Sequence, residues 1–384
     1  MTTGLTAHEL ELAHAVRRFA EGELAEGALA RAHSSAYPWD VAGKLAELGM
    51  LGITIPEADG GTGGSLMDAV VTIQELAMVC PKSADVAQAG NFGPIRTFAE
   101  FATPAQKERW LPDLLAGRKL ISLGMSEPDA GSAVTELKTS AREDGDGYIL
   151  NGSKVFSTHS PHADLFLIYV RFGPGTGGIG SVLVERGTPG FTIGQPAPFM
   201  SGEEWCPLYF QDCRIPAENL LLGPGGFKKQ ISGFNVERIG NASRALALGR
   251  HAYEVARRHV VERTQFGRPL CEFQGLQWSF AEMVVKLEAA QMLLYRAARD
   301  GDANGLPSAF DTAVAKLACN EAGFEVANAA MQAMGAYGYS TETLVEYCVK
   351  RTRGWQIAGG SLEMLKNRIA EHVFERRFDQ RAPR

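Results

Sequence analysis

Hydrophobic and polar positions divide the chain into three textures. Over residues 7–117 apolar side chains recur at roughly i, i+3, i+4, with Leu10, Leu12, Ala15, Val16, Phe19 and Leu24, then Val41, Leu45 and Leu48, which predicts helices. Residues 55–64 interrupt that pattern with one proline and four glycines and predict a loop; the Gly-Lys-Ser/Thr ending of a phosphate cradle is missing. From about 120 to 223 the period shortens. Asp144-Gly145-Asp146-Gly147 and Asn151-Gly152 are hairpin-type turns, and residues 165–170, 181–184 and 208–210 are apolar enough for inner strands. No helix-length segment separates them, so an antiparallel sheet is expected, and no GxGxxG follows a strand to open a dinucleotide-binding unit. Helical periodicity returns from 227 to 378, most clearly over 275–300 and 309–334. The first of these carries few charges, as expected of a helix buried on most sides in a bundle or subunit interface. The expected architecture is α+β in the order all-α, β, all-α. Its domains are 1–118 (helical), 119–224 (antiparallel β) and 225–384 (a helical, four-helix-bundle domain).

Composition adds little to this outline. With 38 Lys+Arg, 44 Asp+Glu and a net charge of −6, the chain offers nothing to favour nucleic acid or a membrane surface. The longest apolar run is far too short to span a bilayer, and the polar N-terminal stretch has no signal-peptide core. Six cysteines (80, 206, 213, 271, 319, 348) lack paired spacing, which predicts reduced thiols, a cytoplasmic setting and no metal site. His159 and His162 have no further His or Cys with ligand spacing and are expected to be structural or exposed.

Five segments carry more specific chemistry. They are Leu123-Gly124-Met125-Ser126-Glu127-Pro128-Asp129-Ala130-Gly131-Ser132; Phe156-Ser157-Thr158; Arg263-Thr264-Gln265-Phe266-Gly267-Arg268 with Gln274; Gln332-Ala333-Met334-Gly335-Ala336-Tyr337-Gly338-Tyr339; and residues 350–363, ending Ala358-Gly359-Gly360-Ser361-Leu362-Glu363. In type and order they resemble the flavin and substrate motifs of the acyl-CoA dehydrogenase family, and the resemblance runs across nearly the whole chain. It implies a bound FAD. Leu123, Met125, Ser126, Gly131, Ser132, Phe156, Ser157 and Thr158 would lie at the isoalloxazine. Arg263, Gln265, Phe266 and Gln274 would hold the pyrophosphate of a neighbouring subunit in a homotetramer, where a guanidinium fork suits a phosphate. Gln332, Gly335, Ala336, Ser361 and Glu363 would complete the FAD site. Ser132, Asn235, Arg238, Tyr339 and Gly360 would meet an acyl-CoA or carrier-bound acyl group. Ala336 replaces a glycine of the motif, and alanine tolerates positive φ poorly.

The resemblance also exposes a gap. The family most often carries its catalytic base in Tyr-Glu-Gly-Thr, and here the matching residues are Ala358-Gly359-Gly360-Ser361. Gly359 keeps the backbone N–H that polarises the thioester carbonyl in the family. The proton acceptor must then come from elsewhere, and Glu237, in Phe234-Asn235-Val236-Glu237-Arg238, matches the helix-borne base of the isovaleryl and long-chain branches. The implied reaction is α,β-dehydrogenation of an acyl thioester with electrons passed to an acceptor such as an electron-transfer flavoprotein. Enoyl-CoA reduction, flavin-dependent oxygenation or a non-catalytic FAD subunit partnered with a homologue are the alternatives. A glutamate reinstated at 359 is expected to approach the same α-carbon as Glu237.

Overall fold

The computed structural model describes residues 4–378. Helices precede the sheet: Ala7–Glu23 (α1), Ala28–Ala32 (α2), Trp39–Glu47 (α3), Leu66–Ala77 (α4), Pro81–Asn91 (α5), Pro94–Phe101 (α6) and Pro104–Leu115 (α7). The strands are Ile121–Gly124 (β1), Ser140–Asp144 (β2), Gly147–Thr158 (β3), Leu165–Arg171 (β4), Ile179–Glu185 (β5), Phe191–Ile193 (β6), Ala197–Pro198 (β7), Glu204–Pro216 (β8) and Leu220–Leu222 (β9). Helices resume with Phe227–Glu262 (α8), a small hairpin of Thr264–Gln265 (β10) and Arg268–Pro269 (β11), then Gln274–Asn304 (α9), Ala309–Met334 (α10), Ala336–Tyr339 (α11), Val345–Trp355 (α12) and Leu362–Val373 (α13). The all-α, β, all-α order expected from periodicity is the order observed. Among the described residues no helix is long and apolar enough to cross a membrane.

By packing, the chain forms two compact units: Met1–Leu29, Ile73–Pro81 and Asn235–Arg384 in one, Ala30–Thr72 and Lys82–Phe234 in the other. In the second unit the sheet runs β6-β8-β3-β2-β4-β5-β9. It is mixed where pure antiparallel pairing was expected, because β1 lies parallel to β4 (Ile121↔Leu165 to Gly124↔Ile168) and β2 touches β4 in parallel at Ser140↔Arg171. Strand β4 shows why this sheet is a core element. Leu165, Leu167 and Tyr169 face one buried cluster with Phe98, Trp110 and Leu114 of α6 and α7, while Phe166, Ile168 and Val170 face a second with Leu150, Leu208 and Phe210. Alternation puts apolar side chains on both faces, so the strand reads as a continuous hydrophobic run.

In the first unit α8, α9, α10, α12 and α13 pack as a bundle. Glycine sets one crossing: a Cβ at Gly323 of α10 would meet the Ala245 carbonyl at 2.3 Å, and one at Gly249 of α8 would meet Gly323 Cα at 2.7 Å. Helix α9 departs from the expectation of burial on most sides. Trp278 (61% exposed), Val285 (68%) and Met292 (40%) form an uncovered apolar stripe, spaced seven residues apart and so on one face. Low charge marked a surface that this chain by itself does not cover.

Gly323→Ala should therefore destabilise the protein by about 1–3 kcal/mol, since the obstacle is backbone that cannot rotate away. Gly43→Ala, inside α3 with open space around the added methyl, should instead be neutral or stabilising by up to about 1 kcal/mol. Denaturant melts of the two variants check the pair; equal effects would deny the close helix contact its importance.

Candidate active site

In the sheet unit, the loop after β1 and the end of β3 are tied together by buried polar contacts. Lys154, fully buried on β3, pairs with Glu127 at 2.7 Å and also donates to the Met125 carbonyl (3.3 Å). The Glu127 carboxylate accepts from the backbone N–H groups of Lys138 (2.6 Å) and Thr139 (2.9 Å). Burial alone would raise the Glu127 carboxyl, but Lys154 and these donors outweigh it and hold it below the usual carboxylate range. Burial pulls the Lys154 ammonium down to about 8 in spite of Glu127. Ser157, expected at the flavin, turns its hydroxyl inward to the Leu123 carbonyl (2.7 Å), and Ser122 donates to the Thr158 carbonyl (2.6 Å).

Between Lys154 and Ser157 the β3–β8 register shifts, and Phe156 takes a positive φ of 57°. This bulge turns the ring outward, where it is 58% exposed beside Trp205 (centroids 4.5 Å apart) and Phe199 (6.4 Å). Thr158, Gly131 and Ser132 are exposed, and Leu123, Met125 and Ser126 half-buried. An uncovered aromatic patch with hydroxyls near it fits the flat apolar rings and polar edge of a flavin. His159 and His162 pack instead around Tyr37, with centroid distances of 5.4 and 6.5 Å. Among the described residues no group of three or more His, Cys, Asp or Glu is arranged to hold a metal.

In the other unit, the residues expected at the pyrophosphate lie along the segment from the end of α8 through the β10–β11 hairpin to the start of α9, where Gln274 is the first residue. Phe266 is 94% exposed with φ 51°, and Arg263, Gln265 and Gln274 are exposed near it. Gln332 and Gly335 are exposed at the end of α10. Gly335 supplies the positive φ (61°), while Ala336 opens the short helix α11, so the alanine causes no strain. Tyr339 on that helix is 77% exposed. Ser361 stands at the N-cap position of α13, its side chain making no cap hydrogen bond, with Glu363 exposed in the first turn.

Glu237 and Gly359 are brought to one neighbourhood. Glu237 is half-buried on α8, with its Oε2 fully buried. One turn on, Asn241 is wholly buried, and its Oδ1 accepts from Asn320 Nδ2 of α10 (3.2 Å). Lys316, one turn back from Asn320, is fully buried and electrostatically coupled to Glu237. Its ammonium donates to the carbonyls of Gly360 (3.0 Å) and Trp355 (3.2 Å). A side chain started at Gly359 would meet Asn241 Nδ2 and Lys316 Cε, both at 3.5 Å. Arg238 donates to the Gly359 carbonyl (3.4 Å) and to Asn235 Oδ1 (3.2 Å), and Asn235 reaches the Pro307 carbonyl (3.4 Å).

Two features of this site were not anticipated from sequence. Gly359 and Gly360 have φ of 70° and 95°, so the turn is built for glycine as well as lacking a carboxylate. A glutamate at 359 would have room but would carry about 1–2 kcal/mol of backbone strain, which weakens the expectation that it simply restores the family arrangement. Lys316 and Asn320 were also overlooked. Their one signal is position: Lys316 and Asn320 interrupt the buried stripe of α10 that includes Thr312, Cys319 and Gly323, and a polar residue on such a stripe needs a partner.

Comparison with known proteins bears on the whole chain. Residues 6–118 match the acyl-CoA dehydrogenase N-terminal domain, 122–213 the middle domain and 224–374 the C-terminal domain. A 3-sulfinopropanoyl-CoA desulfinase from Paraburkholderia xenovorans is 34% identical, with 98% of each chain covered. An acryloyl-CoA reductase (NADH) from Anaerotignum propionicum is 35% identical, covering 98% of this chain and 97% of that one. The structure of butyryl-CoA dehydrogenase from Megasphaera elsdenii superposes with a TM-score of 0.90 at 32% identity, over 97% of this chain and all of that one.

The Glu127–Lys154 pair gives a direct stability test. Glu127→Gln leaves a buried ammonium without its counter-charge and should cost about 3–5 kcal/mol. Adding Lys154→Met should recover most of that loss in a denaturant melt. A double variant no better than the single would show that the pair is not what holds this loop.

Proposed function

Because the chain belongs to the acyl-CoA dehydrogenase family, we propose that it removes the α and β hydrogens of an acyl thioester, acyl-CoA or carrier-bound, with Glu237 as the base. One observation carries the assignment. The glycine that stands where the family's base would be has Asn241 and Lys316 each 3.5 Å from where its side chain would start, Asn241 lies one turn from Glu237 on α8, and the Lys316 ammonium feels the Glu237 charge. Glu237 takes the proton at its carboxylate, and the Gly359 N–H donates to the thioester oxygen as negative charge develops there. Phe156, Ser126, Thr158 and the Arg263–Gln274 region are the residues that would hold FAD, and FAD, when bound, supplies the acceptor for the β-hydride. An electron-transfer flavoprotein is the kind of partner that would reoxidise the enzyme.

A second reading shares this site. The acryloyl-CoA reductase relative supports the reverse reaction, in which Glu237 returns a proton to the α-carbon. The desulfinase relative supports hydrolytic replacement of a β-sulfino group of an acyl-CoA by hydrogen, water supplying the proton and the oxygen that leaves as sulfite, a net reaction with no β-hydride for a flavin to accept. Anaerobic mixing with a panel of acyl-CoAs, enoyl-CoAs and 3-sulfinopropanoyl-CoA separates the three by flavin bleaching, flavin reoxidation or sulfite release.

With an acyl-CoA that bleaches the wild type, Glu237→Gln should fold, retain FAD and slow bleaching by roughly 10²–10⁴-fold, the usual worth of a positioned base. Wild-type-like bleaching by this variant removes Glu237 from the mechanism. Gly359→Glu added to it should recover only part of the rate, because of the positive φ at that position.

The exposed hairpin around Phe266 and the stripe of Trp278, Val285 and Met292 support a homotetramer that shares FAD sites between subunits. Arg263→Ala should weaken FAD retention by at least about tenfold, as expected when a phosphate loses a bidentate cation. A monomeric mass by light scattering with FAD still bound contradicts the shared site.

A further inference from the structure

Helix α12 ends at Trp355, and the chain then turns through two left-handed glycines before α13 begins at Leu362. Such a helix end leaves carbonyls that need donors. Two come from consecutive turns of α10: Asn320 Nδ2 donates to the Trp355 carbonyl (2.5 Å), and Lys316 to the carbonyls of both Trp355 and Gly360. Gln356 closes the arrangement by donating to the Asn320 carbonyl (3.3 Å). The Trp355 ring itself carries two guanidinium groups over it, those of Arg244 (3.7 Å from the centroid) and Arg351 (4.8 Å).

A neutral amide at 316 would tether the same carbonyls without the cost of burying an ammonium, which amounts to several kcal/mol. The charge needs its own explanation, and Glu237 supplies one. Burial first, and then Arg238, pull the Lys316 ammonium down to about 7, while Glu237 acts in the opposite direction. The charged groups around Lys316 are thus Glu237 and Arg238 from α8, with Arg368 of α13 acting on Arg238. Arg244 and Arg351 lie at Trp355, the residue whose carbonyl Lys316 binds.

We propose that Lys316 is a positioning residue of the thioester site. Its ammonium holds the 355–360 turn so that the Gly359 N–H is fixed, and it sets a cation on the rung of α10 that lies opposite Glu237. The inference rests on the assignment of Glu237 and Gly359 given above, and it adds a third, buried member that never touches substrate.

The test uses full-length, FAD-loaded protein carrying Lys316→Met, which keeps the length and removes the charge and donors, and Lys316→Gln, which keeps a neutral donor. Amide hydrogen exchange over residues 356–361 should rise by at least about tenfold in the Met variant, since the turn loses both bonds. With an acyl-CoA that bleaches the wild type, the Met variant should bleach about 10–100-fold more slowly, less than or comparable to the loss of a direct oxyanion donor. Its affinity for acyl-CoA should stay within about threefold of wild type, as for a loss confined to the transition state. The acid limb of its pH–rate profile should move up by about one pH unit, because a carboxylate that loses a nearby cation is protonated more easily. The Gln variant should restore protection of the turn and leave the acid limb displaced.

Wild-type exchange in Lys316→Met overturns the tether, and an acid limb unmoved in both variants overturns the electrostatic role. If the wild type itself bleaches with no acyl-CoA, the dehydrogenase reading fails while the exchange experiment still decides the tether. Should the Met variant not fold, the Gln variant decides the electrostatic role through its acid limb, and exchange in Lys316→Ala decides the tether.

Discussion

The close approach of α8 and α10 is the constraint on which the arrangement around Glu237 and Gly359 depends. At Gly323 even a methyl group would collide with the Ala245 carbonyl, so the two backbones touch where most helix pairs are held apart by side chains. From that point the helices stay adjacent turn by turn. Ala245 lies against Gly323, Asn241 accepts from Asn320, and Glu237 is coupled to Lys316. A wider spacing would leave Asn320 and Lys316 short of their partners. Two small residues at the crossing, Ala245 and Gly323, therefore permit a polar ladder one and two turns away.

That ladder changes the meaning of the missing glutamate. Losing a carboxylate from the 355–360 turn is one event; converting the turn to consecutive left-handed glycines, clamped from below by Lys316 and Asn320, is a different local structure. The turn offers backbone donors and carbonyls, and the nearby carboxyl group, that of Glu237, stands on α8. Arg238, adjacent to Glu237 in sequence, is engaged with the Gly359 carbonyl and Asn235, so its direction is set by the turn as well.

In the sheet unit the corresponding device is the buried Glu127–Lys154 pair, which braces the loop after β1 against β3. A bulge one residue beyond Lys154 turns Phe156 outward. A regular strand would alternate through Phe156 without interruption; the extra residue lets a buried lysine, an outward aromatic ring and an inward Ser157 hydroxyl follow one another closely.

Periodicity along the chain was enough to determine the order of helices and strands. Burying a helix stripe or a strand face against any partner demands the same 3.6- or 2-residue repeat, whatever that partner is. The motif residues from Leu123 to Glu363 were likewise visible as text, and so were the absent carboxylate at 359 and the candidate at 237. The structure decided what depends on distance between segments far apart in sequence. The parallel pairing of β1 with β4 made the sheet mixed, the positive φ passed to Gly335 and spared Ala336, and Gly359 proved to be a conformational requirement. Lys316 was placed 79 residues along the chain from the glutamate whose charge acts on it. Its sequence neighbourhood, an alanine-rich helix, says only that it is helical. Its charge acquired a purpose when packing removed the water and left Glu237 and two carbonyls to compensate for it.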